Sequence, residues 1–150
     1  MELDIRDARA SDEAEWRELW IEHFDFHKVE LSPAVTDSTW TRILDPRSTV
    51  SMRVAIVDGR LAGYAIFFAH PSTWVLADDC YLEDLYVGER GRGQGIGRAL
   101  MNDLIALARK NGWSHLYWHT HESNTGARKL YDQFVEADGS VRYRMKLDVS

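Results

Sequence analysis

Cysteine is almost missing from this 150-residue chain. Cys80 stands alone, which excludes a disulfide framework and a cysteine-built metal cluster. Long apolar runs are missing too: none approaches the ~20 residues of a membrane-spanning helix. The first residues alternate charge with aliphatics in place of a secretory leader. These absences lead us to expect a cytoplasmic protein with no membrane partner. Positive charge is also in deficit, 18 Lys and Arg against 24 Asp and Glu, a net charge of −6. That balance argues against nucleic-acid binding and suits cationic ligands. No internal repeat, low-complexity stretch or linker interrupts the sequence. What is present is an ordinary globular balance, 45% hydrophobic and 28% charged, in a length that predicts one domain, residues 1–150, around one core.

The chain is organised around residues 81–100, Tyr-Leu-Glu-Asp-Leu-Tyr-Val-Gly-Glu-Arg-Gly-Arg-Gly-Gln-Gly-Ile-Gly-Arg-Ala-Leu. Residues 80–87 read as a strand by propensity and length. Gly91, Gly93, Gly95 and Gly97 follow at alternate positions, and Ile96, Leu100, Leu104 and Leu107 then recur at helical spacing. A strand, a glycine turn and a helix leave backbone N–H groups unpaired at the helix start, where a ligand can approach closely. Free donors and the helix dipole together attract phosphate. Arg90, Arg92 and Arg98 add cations there. The residues alone therefore indicate a phosphate or pyrophosphate cradle.

Two common glycine codes do not occur. No Gly-Lys precedes Ser or Thr, as a Walker loop requires. A dinucleotide fingerprint fails because Ile96 stands three residues after Gly93 and Arg98 three after Gly95. What fits is Arg92-Gly93-Gln94-Gly95-Ile96-Gly97, an R-x-x-G-x-G pattern five residues beyond the valine that ends a strand. This pattern resembles the coenzyme A site of the GNAT superfamily of N-acetyltransferases. The preceding Tyr-Leu-Glu-Asp-Leu-Tyr-Val is most similar to the diamine (spermidine/spermine) branch and its yeast-type histone and polyamine relatives. Downstream, Asn124-x-x-Ala127-x-x-Leu130-Tyr131 carries a second resemblance in the expected order.

The resemblance implies an α+β fold, a mixed and mostly antiparallel central sheet with helices on both faces. The chain read in order agrees. Residues 3–9 predict a first strand, and Ser11-Asp12 an N-cap for a helix over residues 13–27. Trp16, Leu19, Trp20, Phe24 and His27 form one face of that helix, a core-packing stripe or else a substrate lid. Leu31-Ser32-Pro33 breaks the pattern, and a second helix is expected from Thr36 or Asp37 to Leu44, before Asp45-Pro46. Strands follow at 52–57 and 61–69 around an Asp58-Gly59 hairpin turn. After the glycine helix stops near Asn111-Gly112, residues 115–120 predict a strand, 125–135 a helix and 141–147 a final alternating strand. The order is βααβββαβαβ.

Acetyl transfer to an amine requires a neutral amine, and at pH 7 only about one alkylamine in 10³ is neutral. A carboxylate that takes the proton therefore helps. Glu83 is the expected base, an ionisable group in the middle of an apolar strand. Asp84 faces the other way in a regular strand, so both acids meet one substrate only if a bulge breaks the alternation. Flanked by Leu130 and Phe134, Tyr131 reads by itself as a core tyrosine, and the family resemblance makes it the expected acid. It shares a helix face with Asn124 and Ala127 at i, i+3 and i+7, and a phenol beside sulfur would protonate the leaving thiolate. The resemblance further implies that backbone groups of Leu85, Tyr86 and Val87 pair with the pantetheine arm of acetyl-CoA like an added strand. It implies that amides of Gly93, Gln94, Gly95, Ile96, Gly97 and Arg98 hold the pyrophosphate, and that Asn124 bonds the pantetheine amides. Arg128 and Lys129 could meet the ribose phosphate, but two cations on a helix surface are more often just solvated.

Glu22, Asp25 and Glu30, with Trp40 and Trp74, would wrap a cationic acceptor through charge and cation–π contacts. His119 and His121 have metal-pair spacing but no third ligand beyond Glu122, so no metal is expected. Cys80 has no activating neighbour, which favours direct transfer. The acceptor implied is a small primary amine, diamines and polyamines first, with protein lysine or an amino acid as the alternative. A non-catalytic acyl-CoA sensor would need Arg92 to Gly97 but neither Glu83 nor Tyr131. The resemblance implies a homodimer. One departure from the relatives stands out. Many continue with Gly-Phe or Gly-Tyr soon after the tyrosine, whereas residues 132–140 here form a longer, more polar connection.

Overall fold

A computed structural model describes residues 1–148. The chain divides into two compact units, Met1–His119 and the residues from Thr120 onward. The first holds β1 (Leu3–Asp7), α1 (Glu13–Phe26), α2 (Pro33–Leu44), β2 (Ser51–Val57), β3 (Arg60–His70), β4 (Asp79–Val87), α3 (Ile96–Asn111) and β5 (His115–Trp118). The second holds α4 (Thr125–Tyr131).

The five strands lie in sequence order in one sheet. β1 to β4 run antiparallel, and β5 joins β4 in parallel after the α3 crossover. The two faces follow from strand alternation. Met52, Val54, Tyr64 and Ile66 point to the α1 side and cluster with Trp16, Leu19, Trp20 and Trp40. Arg53 and Gly63 point to the α3 side. Arg53 meets Asp103 there, and a Cβ on Gly63 would lie 3.4 Å from Leu100 and only 2.8 Å from the Tyr86 carbonyl. Gly63 is thus the residue that lets β3, β4 and α3 close on one another.

Several local expectations are corrected by competing hydrogen bonds. Asp12 does not cap α1. Its carboxylate accepts from the Arg6 guanidinium at 2.8 and 2.9 Å and from the Arg9 N–H at 2.8 Å, stitching the end of β1 to the following 3-10 turn. The second helix starts earlier than predicted. Ser32 caps it by accepting from the Val35 N–H, and Pro33 occupies the first turn, where a missing N–H costs nothing. The hairpin turn is as expected, with Asp58 and Gly59 both at positive φ. Gly112, also at positive φ, ends α3. β5 stops at Trp118, not at Thr120, and α4 ends at Tyr131, not at Val135.

The final strand expected at 141–147 does not form among the described residues. That segment has no ladder partner, and Val141, Tyr143, Met145 and Leu147 are exposed. Alternation alone makes an amphipathic strand possible, but a neighbouring edge is needed to satisfy its backbone.

Candidate active site

A bulge breaks the alternation of β4. Opposite β3, Ile66 pairs with Asp84 and Phe67 with Leu82, leaving Glu83 as the extra residue. Glu83 is exposed as a result. Asp84 turns to the α1 face and is half-buried, and its charge reaches the buried Tyr64. Burial, with Glu83 beside it, pushes the Asp84 carboxyl up to about 7. Of the two acids, Asp84 is the one poised to exchange a proton at neutral pH.

The same stretch of β4 is half-paired. The parallel ladder with β5 runs only from Asp79 to Leu82, opposite His115 to Trp118. Among the described residues, Asp84, Leu85, Tyr86 and Val87 have ladder partners on the β3 side alone. An extended chain segment can be accommodated on such an edge by backbone hydrogen bonds.

Beyond Val87 the backbone tightens into a 3-10 turn, Glu89–Gly91, and then the glycine loop. A Cβ on Gly91 would stand 2.8 Å from the Ile96 side chain and 3.1 Å from Val87, so this glycine serves packing. Gly93 and Gly95 serve conformation. Both have φ of +77°, and a Cβ on either would meet nothing within 4 Å. Gly95 is the N-cap of α3 and gives it no side-chain cap, and a Cβ at that position would point into open space. The Gln94 amide donates to the Arg90 carbonyl at 3.0 Å and braces the loop. The donor set and the space fit a pyrophosphate and its attached arm.

Arg92 is differently employed. Its guanidinium donates to the Tyr86 hydroxyl at 3.0 Å and lies 5.4 Å from the Phe26 ring centroid and 5.8 Å from that of Tyr86. Tyr86 in turn donates to Glu22, which also accepts from the Glu89 N–H at 3.2 Å. Burial and Glu22 push the Tyr86 phenol up to about 12. Glu22 therefore ties α1 to the glycine loop. A cleft of about 520 Å³ opens alongside, with Glu18, Glu22, Asp58 and Glu89 against Arg60 and Arg90 on its walls. Neither Glu83 nor Asp84 lines it.

Trp40 is a correction. It is buried in the core with its ring stacked on Trp16, centroids 5.1 Å apart, and is not available to an acceptor. Trp74 lies fully exposed on the loop before β4. Sequence reasoning also missed His23, because a histidine on a helix face carries no signal of its own. It is buried, hydrogen-bonds to Tyr64 and stacks on Tyr86 with centroids 4.5 Å apart. Cys80 is wholly buried, and burial pushes its thiol up to about 12, so it stays protonated at neutral pH.

In the second unit, Asn124 caps α4 by accepting from the Ala127 N–H at 3.2 Å, which leaves its amide NH₂ to donate elsewhere. Tyr131 closes the helix half-buried, and burial raises its phenol, so it holds its proton at neutral pH. Arg128 donates to the Glu122 carbonyl at 3.2 Å.

Residues 11–134 match the model of the acetyltransferase (GNAT) family. The chain belongs to this family. The GNAT enzymes similar to it include the D-amino-acid N-acetyltransferase of Saccharomyces cerevisiae, 31% identical over 93% of this chain and 88% of the relative. Another is the thialysine N-epsilon-acetyltransferase of Caenorhabditis elegans, 32% identical over 81% of this chain and 78% of the relative. Among solved structures, the ribosomal-protein-alanine N-acetyltransferase of Brucella melitensis superposes with a TM-score of 0.83 at 27% identity, covering 97% of this chain and all of the other. GNAT enzymes use acetyl-CoA as cosubstrate, and this chain is a GNAT N-acetyltransferase. No helix among the described residues is long and apolar enough to cross a membrane.

Proposed function

We propose that this GNAT enzyme transfers an acetyl group from acetyl-CoA directly to the primary amine of a small cationic acceptor, a diamine or polyamine first. The observation that carries the reading is Asp84, a half-buried carboxyl at about pKa 7 on the strand that leads into an uncapped helix start. Bound acetyl-CoA supplies the activated thioester. Amides at the start of α3 would hold its pyrophosphate, and the side of Leu85, Tyr86 and Val87 away from β3 would receive its arm. Asp84 takes the proton from the acceptor ammonium, directly or through water, because its pKa matches working pH. The freed nitrogen would form the C–N bond as the C–S bond breaks, and the family resemblance assigns the Tyr131 phenol the proton for sulfur. The protonated Cys80 thiol supports direct transfer over an acyl-cysteine route. Glu83, exposed beside Asp84, attracts the distal charge of the acceptor.

A second reading, an amino-acid acceptor, is favoured by the similarity to enzymes named for D-amino acids and for thialysine. Thiol release from acetyl-CoA, measured across diamines, polyamines, D- and L-amino acids, thialysine and lysine peptides, separates the two. Highest kcat/KM on amines without an α-carboxylate supports the first reading, and highest kcat/KM on amino acids replaces it with the second.

A further inference from the structure

Arg92 opens the glycine pattern, yet its side chain is turned toward α1. Nε donates to the Val87 carbonyl at 3.4 Å, and a terminal nitrogen donates to the Tyr86 hydroxyl at 3.0 Å. Its guanidinium carbon also lies 5.4 Å from the ring centroid of Phe26, the last residue of α1, and 5.8 Å from that of Tyr86. The side chain thus reaches back five and six residues to the two that end β4. Arginine suits such a hold, because its planar fork makes two directed bonds while its face rests on aromatic rings.

Tyr86 carries the hold onward. Its hydroxyl donates to Glu22 on α1, and His23 stacks on its ring with centroids 4.5 Å apart. Arg92, Tyr86 and Glu22 form a chain of cation, hydroxyl and carboxylate, in which the phenol accepts from one charge and donates to the other. Glu22 also accepts from the Glu89 N–H at 3.2 Å. The packing beneath is close. A Cβ on Gly88 would stand 2.5 Å from Leu19 Cδ2 and 3.4 Å from the Glu22 carboxylate, so α1 lies directly on the end of the strand. The Gly88 and Gly91 amides donate to the Ala62 and Gly88 carbonyls at 2.8 and 2.9 Å. Residues 86–92 are therefore fixed from the α1 side, in the structure as it stands, with Arg92 at the end of the chain of contacts.

We infer that Arg92 is a positioning residue and not a ligand of the coenzyme's phosphates. Through Val87 and Tyr86 it holds residues 86–92 in the free enzyme, so that the end of β4 and the glycine turn meet the acyl donor already in place. The inference rests on the reading that the donor's arm follows β4 and its pyrophosphate the start of α3. Ordering a site beforehand lowers the entropic cost of binding. Loss of the brace therefore weakens donor binding and leaves the chemical step, which follows once the donor is seated, almost intact.

Acetyl-CoA and S-acetylpantetheine, which stops short of the pyrophosphate, separate a brace from a phosphate ligand. Arg92→Ala should lower kcat/KM for both donors by a similar factor, about tenfold, with kcat on acetyl-CoA changed less than about twofold. Arg92→Lys keeps the charge but not the fork, and should behave like Arg92→Ala. A phosphate ligand predicts loss on acetyl-CoA alone, largely restored by lysine. That result, or unchanged kcat/KM on both donors, would overturn the inference. Tyr86→Phe added to Arg92→Ala should cost less than about a further twofold, because the chain is already cut, and full additivity would count against it. Hydrogen exchange on the unliganded enzyme decides without turnover. The Gly88, Glu89 and Gly91 amides should exchange more than about threefold faster in Arg92→Ala, and unchanged exchange would overturn the inference. Failure of the underlying reading shows separately: Gly97→Asp would then retain coenzyme A, while the exchange result still stands or falls with Arg92.

Discussion

His23 Nδ1 and the Tyr64 hydroxyl share a 2.9 Å hydrogen bond inside the α1 face of the sheet. Burial drives the imidazole down to about 4. In the unfolded chain it titrates near 6.5, so below that pH the unfolded state takes a proton that the folded state refuses. His23 thus costs stability as pH falls from about 6.5 to about 4. Asp84, raised from 3.8 to about 7, runs the other way and costs stability as pH rises across nearly the same window. Each group is worth on the order of 3–4 kcal/mol over its window. The two slopes oppose one another. Asp84→Asn should therefore gain stability at pH 7.5 relative to the parent, and His23→Gln should gain at pH 4.5. Urea unfolding at the two pH values checks both, and parallel shifts at both pH values would refute the assignment.

The acid pair divides its labour unevenly. Asp84→Asn should lower kcat by ~10²–10⁴, the usual worth of general-base help. Glu83→Gln should act mainly on the acceptor KM and lower kcat by less than about tenfold. In the parent enzyme, kcat/KM should rise as pH climbs through about 7, where Asp84 ionises. A steeper dependence on Glu83 than on Asp84 would return the base to the bulged residue.

Gly93 separates folding from binding. A Cβ there meets no protein atom within 4 Å, yet φ is +77°. Gly93→Ala should cost only about 1–2 kcal/mol of backbone strain. Gly97→Asp adds bulk and negative charge where the pyrophosphate would sit, and should abolish coenzyme A binding in calorimetry. Retained affinity in Gly97→Asp would remove the cradle.

Tyr131→Phe should lower kcat while leaving acetyl-CoA affinity intact, because only the proton is lost. Single-turnover measurements isolate the chemical step. An unchanged rate there would take Tyr131 out of the reaction.

Much of this was legible from the residues, and for definable reasons. Glycine spacing and the Ile96, Leu100 and Leu104 repeat are local signals, and α3 forms on them with those three side chains buried. The bulge at Glu83 was readable as a condition, since two adjacent acids cannot share a face without one. Which acid is buried was not, because that depends on the register with Ile66 and Phe67, two strands of non-local pairing. Trp40 misled for the same reason: an aromatic on a helix looks alike whether it meets a ligand or Trp16. Asp12 has the form of a cap, but Arg6, six residues earlier on β1, outbids the helix for its carboxylate. The segment 141–147 has perfect strand alternation, but alternation alone does not supply the neighbouring edge that a strand needs.

Glu22 carries a consequence for anyone re-engineering the enzyme. One carboxylate on the first helix grips both the Tyr86 phenol and the Glu89 amide that precedes the glycine loop. Substitutions there intended to retune amine preference will also alter the Michaelis constant for the acyl donor. Directed evolution of selectivity should accordingly leave Glu22 fixed and randomise its outward neighbours.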